Sequence, residues 1–151
     1  MHRDEIAQQA AIEHEMLKHI AAALRATMQM KSSGDDFSRK LTGLRFICQS
    51  FQRHLEHVMA LEEFEGYMNI VTESYPQWSE RTVKLRGEHD RFRDSLGGLN
   101  YRLERTTPDD LEAFQRLCGE LDELLEQIND HNQRETALIQ EAFLYDVGGE
   151  G

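Results

Sequence analysis

The chain has 151 residues, enough for one domain with a sizeable buried core. It carries 17 Lys and Arg against 28 Asp and Glu, and the resulting formal charge of −11 argues against a surface for nucleic acid or for an anionic membrane. No apolar run is long enough to span a bilayer, and the first residues lead into no apolar signal segment. Two cysteines, Cys48 and Cys118, make no disulfide framework, so we expect a cytoplasmic protein with reduced thiols.

Long helices are expected, because only two prolines and ten glycines punctuate the chain. Small polar residues at 31–36, Pro76 after Tyr75, and the segment 106–110 predict the three interruptions. Thr107 is the expected N-cap of the last helix, with Pro108 in its first position. The predicted stretches within a single domain, 1–151, are 4–31, 36–74, 77–105 and 108–145, followed by a frayed tail at 147–151.

The apolar residues of each stretch recur at alternating spacings of four and three, which is typical of one buried helix face. In the last stretch this seam runs through Leu117, Leu121, Leu124 and Ile128. Four such helices with short connections predict an all-α fold, an antiparallel four-helix bundle that runs up-down-up-down. A long coiled-coil dimer is the weaker alternative, because three loop signals cut the pattern. The pair at 97–98, two glycines inside the third stretch, indicates either a kink or a close helix approach.

Ionisable residues break the apolar seams of all four helices. A buried ionisable group is costly unless it is paired, hydrogen-bonded or bound to a metal ion, so a shared cluster is informative where a single seam histidine is not. The residues in question, at positions where a bundle usually has leucine, are His14, Glu62, His89, His131 and Glu135.

The antiparallel arrangement predicts that these five residues lie in one layer. At ~1.5 Å per residue, each lies between ~15 and ~21 Å above the end of the bundle that contains the chain start. This spread is about one helical turn. His131 and Glu135 are four residues apart and leave one face of their helix, so both can bind one ion. Imidazole and carboxylate ligands together suit iron, manganese or zinc, and carboxylates can bridge two ions.

The remaining histidines do not fit this layer. His54 faces inward but lies ~12 Å beyond Glu62 along the axis, so we expect it outside the set of metal ligands. His2 is assigned no role. Several ionisable residues near the layer or off the seams are expected to face solvent, wholly or in part: His19, His57, Glu63, Glu65 and Asp90.

Four segments of the sequence carry a family resemblance: 12–17 (IEHEML), 61–68 (LEEFEGYM), 85–90 (LRGEHD) and 131–135 (HNQRE). In their order and spacing they resemble the hemerythrin-like (HHE cation-binding) domain family over nearly the whole chain. The resemblance implies a four-helix bundle around a non-haem di-iron centre. It also implies reversible oxygen binding, or the sensing or handling of oxygen, iron or nitric oxide.

The resemblance implies that the residues of the predicted layer have the roles of the family's metal ligands. His14 matches the ligand of the first helix and Glu62 the bridging carboxylate of the second, while the three others match the ligands of the third and fourth helices. Two family histidines are replaced here, one by Val58 and one by Arg93. Arg93 either pairs with Glu62 or Glu135, or carries its charged head away from the layer. We expect the second arrangement, which permits metal binding.

Three functions of different classes follow. The first is a metal-binding protein with a reduced His/Glu site, holding mononuclear or dinuclear iron, or zinc or manganese, with a small diatomic ligand and no enzymatic activity. The alternative is a metal-free bundle that acts as an interaction or structural module. The third, a ferritin-like di-iron enzyme, typically needs Glu-x-x-His on two helices, whereas here Glu62 is followed at that spacing by Glu65. Nucleic-acid and membrane partners are not expected.

Overall fold

The computed structural model describes residues 3–31 and 35–149, which form helices and, within these ranges, no strand. The predicted all-α fold is therefore confirmed. His2, the predicted loop residues 32–34 and the last two residues of the predicted tail lie outside the described residues. The helices are α1 Arg3–Gln29, α2 Asp35–Phe64, α3 Tyr67–Ser74, α4 Pro76–Arg105 and α5 Leu111–Gly149.

The four long helices pack as a bundle. α1 and α4 each contact both α2 and α5, and the short α3 packs against α2 and α4. Over the described ranges, no helix combines the length and the apolar composition needed to cross a membrane. α5 continues to Gly149, beyond the predicted helix end at 145.

The second predicted stretch is divided into α2 and α3 by Glu65 and Gly66. A Cβ atom on Gly66 would lie 2.9 Å from the Cα of Glu62 and 3.0 Å from the carbonyl oxygen of Leu61, so the chain approaches itself too closely for a larger residue. The single helix predicted over 36–74 was therefore wrong at this point. The break brings the first residue of α3, Tyr67, into the bundle interior, where it is fully buried.

The other predicted interruptions are seen, with one change in capping. Pro76 starts α4 in the first helical position directly after Tyr75, as predicted. The prediction of Thr107 as the cap of the last helix was wrong: the Asp110 side chain accepts a hydrogen bond from the Ala113 N–H at 3.1 Å, and α5 begins at Leu111. Pro108 instead lies in a turn closed by a hydrogen bond from the Asp110 N–H to the carbonyl of Thr107.

α4 continues unbroken through Gly97 and Gly98. A Cβ atom on Gly98 would meet nothing within 4 Å, and one on Gly97 only the amide nitrogen of Gln52 at 3.8 Å. Of the two alternatives for this pair, a kink or a close helix approach, the close approach is therefore absent.

Two apolar clusters fill the bundle, one on each side of a polar layer. The larger cluster contains Leu24, Phe51 and Leu121 together with most of the predicted seam residues. The smaller one is built around Met68 and Leu138 at the end where α3 packs. α1, α4 and α5 pass from one cluster to the other through the layer, whereas α2 packs in the larger cluster and ends at Phe64, just beyond Glu62. This arrangement positions the candidate site.

Candidate metal centre

A buried polar layer crosses the bundle between the two apolar clusters. It consists of the five side chains that interrupt the seams, and their exposed fractions lie between 0% and 6%. They come from α1, α2, α4 and α5, so every long helix contributes. The structure brings together His14, Glu62, His89, His131 and Glu135.

Glu135 lies at the middle of this layer. Its Oε1 atom is 3.1 Å from the Nε2 atom of His131 and 3.4 Å from the Nε2 atom of His14. Its Oε2 atom is 3.7 Å from the Nε2 atom of His89 and accepts a hydrogen bond from the Tyr67 hydroxyl. One carboxylate on α5 therefore contacts histidines from three helices.

Glu62 lies between two of the same histidines. Its Oε2 atom is 3.5 Å from the Nε2 atom of His14, and its Oε1 atom is 3.7 Å from the Nε2 atom of His89. Glu62 and Glu135 thus each offer one oxygen towards α1 and the other towards α4. Two carboxylates in this arrangement can each bridge a pair of metal ions.

The outer nitrogens of two histidines are held by carboxylates. The Nδ1 atom of His89 is 2.8 Å from Glu63 Oε2, and the Nδ1 atom of His131 is 2.7 Å from Glu88 Oε1. A carboxylate only accepts, so each Nδ1 carries the hydrogen and each Nε2 points its lone pair into the layer. Metal-binding histidines in proteins are commonly oriented in this way.

His14 has a weaker outer partner. Its Nδ1 atom is 3.4 Å from the hydroxyl oxygen of Thr136, which donates its own hydrogen to the carbonyl of Asn132 at 2.9 Å. The hydroxyl is therefore left to accept from the His14 ring, and the contact is longer than a good hydrogen bond. His14 has the same orientation as the other two histidines but less support.

Arginines hold the two outer carboxylates. Arg93 donates to Glu63 at 2.8 Å, and Arg134 donates to both oxygens of Glu88 at 2.8 and 2.9 Å. Burial raises the pKa of each carboxyl group, but the hydrogen bonds from its arginine and then its histidine outweigh burial, and both pKa values fall below the ordinary value. Both groups thus stay ionised and keep accepting from the histidines.

The charges inside the layer show what it is suited to hold. Burial and the neighbouring Glu135 raise the pKa of Glu62 well above its ordinary value. Burial also acts to raise the pKa of Glu135, but the neighbouring side chains of His131, His14 and His89 hold it well below that value. For His14, burial lowers the pKa, but Glu135 and Glu62 outweigh it and raise the pKa to about 10. Without a cation, the closeness of Glu135 thus opposes the ionisation of Glu62, and a cation between the two carboxyl groups would favour the ionised form of both.

The inward atoms of the layer fit a metal ion. Among the described residues, the Nε2 atoms of His14, His89 and His131 and both carboxylate oxygens of Glu62 are buried and make no hydrogen bond to the protein. Such atoms are costly to bury unless a ligand satisfies them. Two groups of ligand atoms lie within 4.8 Å of one another, and they share Glu135: His89 with His131, and His14 with Glu62. The donor set suits one or two cations with nitrogen and oxygen ligands.

A small pocket adjoins the layer on the side of α1 and α2. It measures about 70 Å³, and its lining includes Val58, Glu62, Gly66 and Tyr67. Val58 is buried one turn before Glu62, so the face of α2 that holds Glu62 continues as apolar surface. This side of the layer offers one imidazole, from His14, while the opposite side offers two.

The structure also settles the orientation of Arg93. Besides Glu63, its guanidinium contacts Glu56 at 2.8 Å and Asp90 at 3.0 Å, on the flank between α2 and α4. It takes neither carboxylate of the layer, as expected. The expectation that Glu63 faces solvent was wrong, because Arg93 and His89 hold it in a buried position.

The other histidines lie apart from the layer. His54 contacts Glu13, and its Nε2 atom is 3.4 Å from Glu13 Oε2. His19 and His57 are exposed, as are Glu65 and Asp90. Sequence reasoning missed Glu88, Arg134 and Tyr67. The detectable signal was a glutamate directly beside a seam ligand, in Glu62-Glu63 and in Glu88-His89.

Comparison with known protein families agrees with this geometry. A model of the hemerythrin HHE cation binding domain matches residues 8–143, a span that contains every residue of the layer. Comparisons with curated proteins and with solved structures gave no significant match. The match covers most of the chain, and the chain therefore belongs to the hemerythrin HHE cation-binding domain family.

Proposed function

We propose that the polar layer binds iron and that the bound iron handles oxygen or nitric oxide. The proposed ligands are His14, Glu62, His89, His131 and Glu135. The observation that carries this proposal is the set of three buried imidazole nitrogens that point into one layer without a hydrogen bond. The membership of the chain in a cation-binding family supports it.

The membership of the chain in the hemerythrin family, rather than the ligand chemistry, favours iron over zinc and manganese. Imidazole and carboxylate together bind all three metals. Glu62 and Glu135 each have oxygens directed to two sides of the layer, an arrangement suited to two ions with shared carboxylates. Bound iron supplies one-electron chemistry towards small diatomic molecules. The protein residues orient the ions, and the two apolar clusters limit the access of water.

Metal analysis after anaerobic loading with Fe²⁺ tests this proposal. We expect one to two irons per chain that stay bound through desalting in the parent protein, and near-zero iron that stays bound in Glu135→Gln, because this substitution removes the carboxylate that contacts all three histidines. Glu123→Gln, an exposed position on the same helix, is the matched control and should retain the parent's iron content.

The optical spectrum of the iron-loaded protein tests whether the bound iron reacts with oxygen or nitric oxide. Addition of oxygen or nitric oxide should change the spectrum of the parent and of Glu123→Gln. A loaded protein whose spectrum is indifferent to both gases would contradict this part of the proposal. A parent that binds no iron, zinc or manganese would contradict the whole and favour a bundle used for its shape.

A further inference from the structure

A second histidine–carboxylate pair lies outside the layer. His54 on α2 and Glu13 on α1 place their Nε2 and Oε2 atoms 3.4 Å apart, and their side chains are only 17% and 12% exposed. Both atoms are buried, and within the described part of the chain neither makes a hydrogen bond. The polar layer does not use either side chain.

Apart from an exposed contact between His19 and Glu15 within α1, the histidine–glutamate contacts of the described residues are of two kinds, and this pair resembles the second. In the first kind, Nδ1 donates to a carboxylate at 2.7 or 2.8 Å, as in His131–Glu88 and His89–Glu63. In the second kind, Nε2 and a carboxylate oxygen lie 3.1 to 3.7 Å apart across the layer. The separation in His54–Glu13 is beyond the usual hydrogen-bond range of ~2.7–3.2 Å.

The separation fits two ligands of one ion. Ligand atoms about 2.1 Å from a metal ion and separated by a near-tetrahedral angle lie about 3.4 Å from each other. The His54–Glu13 distance of 3.4 Å has this value, and so does the distance from His14 to Glu135. The two side chains therefore converge in the same manner as the ligands of the layer.

The Gln9 side chain and solvent can provide further ligands beside the His54–Glu13 pair. The amide group of Gln9 contacts the other oxygen of Glu13 at 2.7 Å, and rotation of this amide would present its oxygen instead of its nitrogen. Gln9 and Glu13 also line the pocket that Glu62 lines. The His54 and Glu13 side chains are themselves 17% and 12% exposed, so solvent can reach the pair and complete the coordination of an ion.

From these observations we propose that Glu13 and His54 bind a divalent transition-metal ion at a second, mononuclear site, with Gln9 as an auxiliary ligand. This site lies two helical turns along α2 from Glu62, since His54 and Glu62 are eight residues apart. It has fewer protein ligands than the layer, so its affinity for the ion is lower. The proposal stands independently of the metal in the layer.

Titration with Co²⁺ alone, followed by calorimetry and by visible absorption, tests the second site. The titration uses the full chain in a Glu135→Gln background, where the tight sites of the layer are removed. We expect one remaining Co²⁺ site per chain, and its affinity should fall at least tenfold when His54→Ala or Glu13→Gln is added. His57→Ala, an exposed histidine on the same helix, is the control and should change the affinity less than twofold.

The outcomes separate this inference from the proposed function. If Glu135→Gln binds no Co²⁺, or if His54→Ala and His57→Ala behave alike, the second site is overturned. If the parent and Glu135→Gln bind Co²⁺ identically, the proposed layer fails while the second site is still judged by His54→Ala. Should Glu135→Gln not fold, as judged by circular dichroism, the same comparison is made in the parent, where His54→Ala should remove only the weaker class of Co²⁺ sites.

Discussion

The two sides of the polar layer are built differently. On the side of α4 and α5, His89 and His131 are each held by a buried glutamate that is in turn held by an arginine. On the side of α1 and α2, His14 has only a long contact with a threonine hydroxyl, and Val58, buried one turn before Glu62, offers no ligand atom. Since outer partners fix ring orientation and raise ligand basicity, we infer one well-prepared metal position and one looser position beside the pocket.

The largest effect is expected from removing an outer partner on the prepared side. Glu88→Gln leaves His131 with a neutral amide and deprives Arg134 of one of its two carboxylate partners, the other being Asp130, so the metal affinity should fall about 10- to 100-fold. Thr136→Val, which removes the weak partner of His14 at nearly constant volume, should lower the affinity less than about tenfold. Both are measured by competition with a chromophoric chelator. Equal losses in the two variants would contradict the difference between the sides.

A smaller effect of opposite sign is expected on the looser side. Val58→His places an imidazole one turn before Glu62, next to a pocket of about 70 Å³ that provides room for it. We expect metal affinity at this side to rise about tenfold, or ~1.4 kcal/mol, with a changed visible spectrum for bound Co²⁺. Val58→Ala is the control, because it changes volume without adding a ligand. A gain in both variants would mean that space rather than nitrogen limits the site.

The sequence predicts most of the layer and little of its surroundings. Its five members follow from the seam pattern, because helical periodicity fixes the face on which a residue lies. Glu63 and Glu88 are each one residue away from that seam in the sequence. Periodicity alone therefore predicts that both side chains face solvent. They are buried because Arg93 and Arg134 meet them on the flanks, and the chain pattern does not encode such long-range partners.

The fold shows the same division between periodic and local features. Seam spacing predicts the long helices, while the end of α2 depends on the close backbone contact at Gly66, which the apolar periodicity does not encode. The start of α5 similarly depends on which of two neighbouring polar residues caps it, and the cap is Asp110 rather than Thr107. Local competition between turn and helix at Pro108 decides this choice.

Two glycines allow a stability comparison between the layer and the larger apolar cluster. Gly98→Ala, on the cluster side, should raise the free energy of unfolding by about 1 kcal/mol, because nothing within 4 Å of the new Cβ would resist it. Gly66→Ala should lower it by about 1–3 kcal/mol, because its Cβ would press on the backbone of Glu62. Urea unfolding measures both, and a stabilising Gly66→Ala would contradict the account of the break before α3.

The smallest expected effect concerns Cys48, which lies in the larger apolar cluster. We expect that metal binding in the layer leaves the reaction rate of its thiol unchanged. Burial, followed by the neighbouring Cys118, raises the pKa of the Cys48 thiol to about 12, so almost no thiolate exists at pH 8. In a Cys118→Ser protein, a disulfide reagent at pH 8 should react only on unfolding, where the thiol pKa returns to about 8.5. The rate should be the same with and without metal. Faster reaction after metal removal would show that the cluster depends on the layer.

X-ray absorption spectroscopy of the iron-loaded protein tests the central claim most directly, because it counts imidazole ligands at the metal. We expect imidazole scattering in the parent and in His57→Ala. The imidazole scattering should fall more in the double variant His89→Ala/His131→Ala than in the single variant His14→Ala. The prepared side has two histidines and the other side has one. Iron that shows no imidazole scattering, or scattering unchanged by these substitutions, would contradict the assignment of the polar layer as the metal centre.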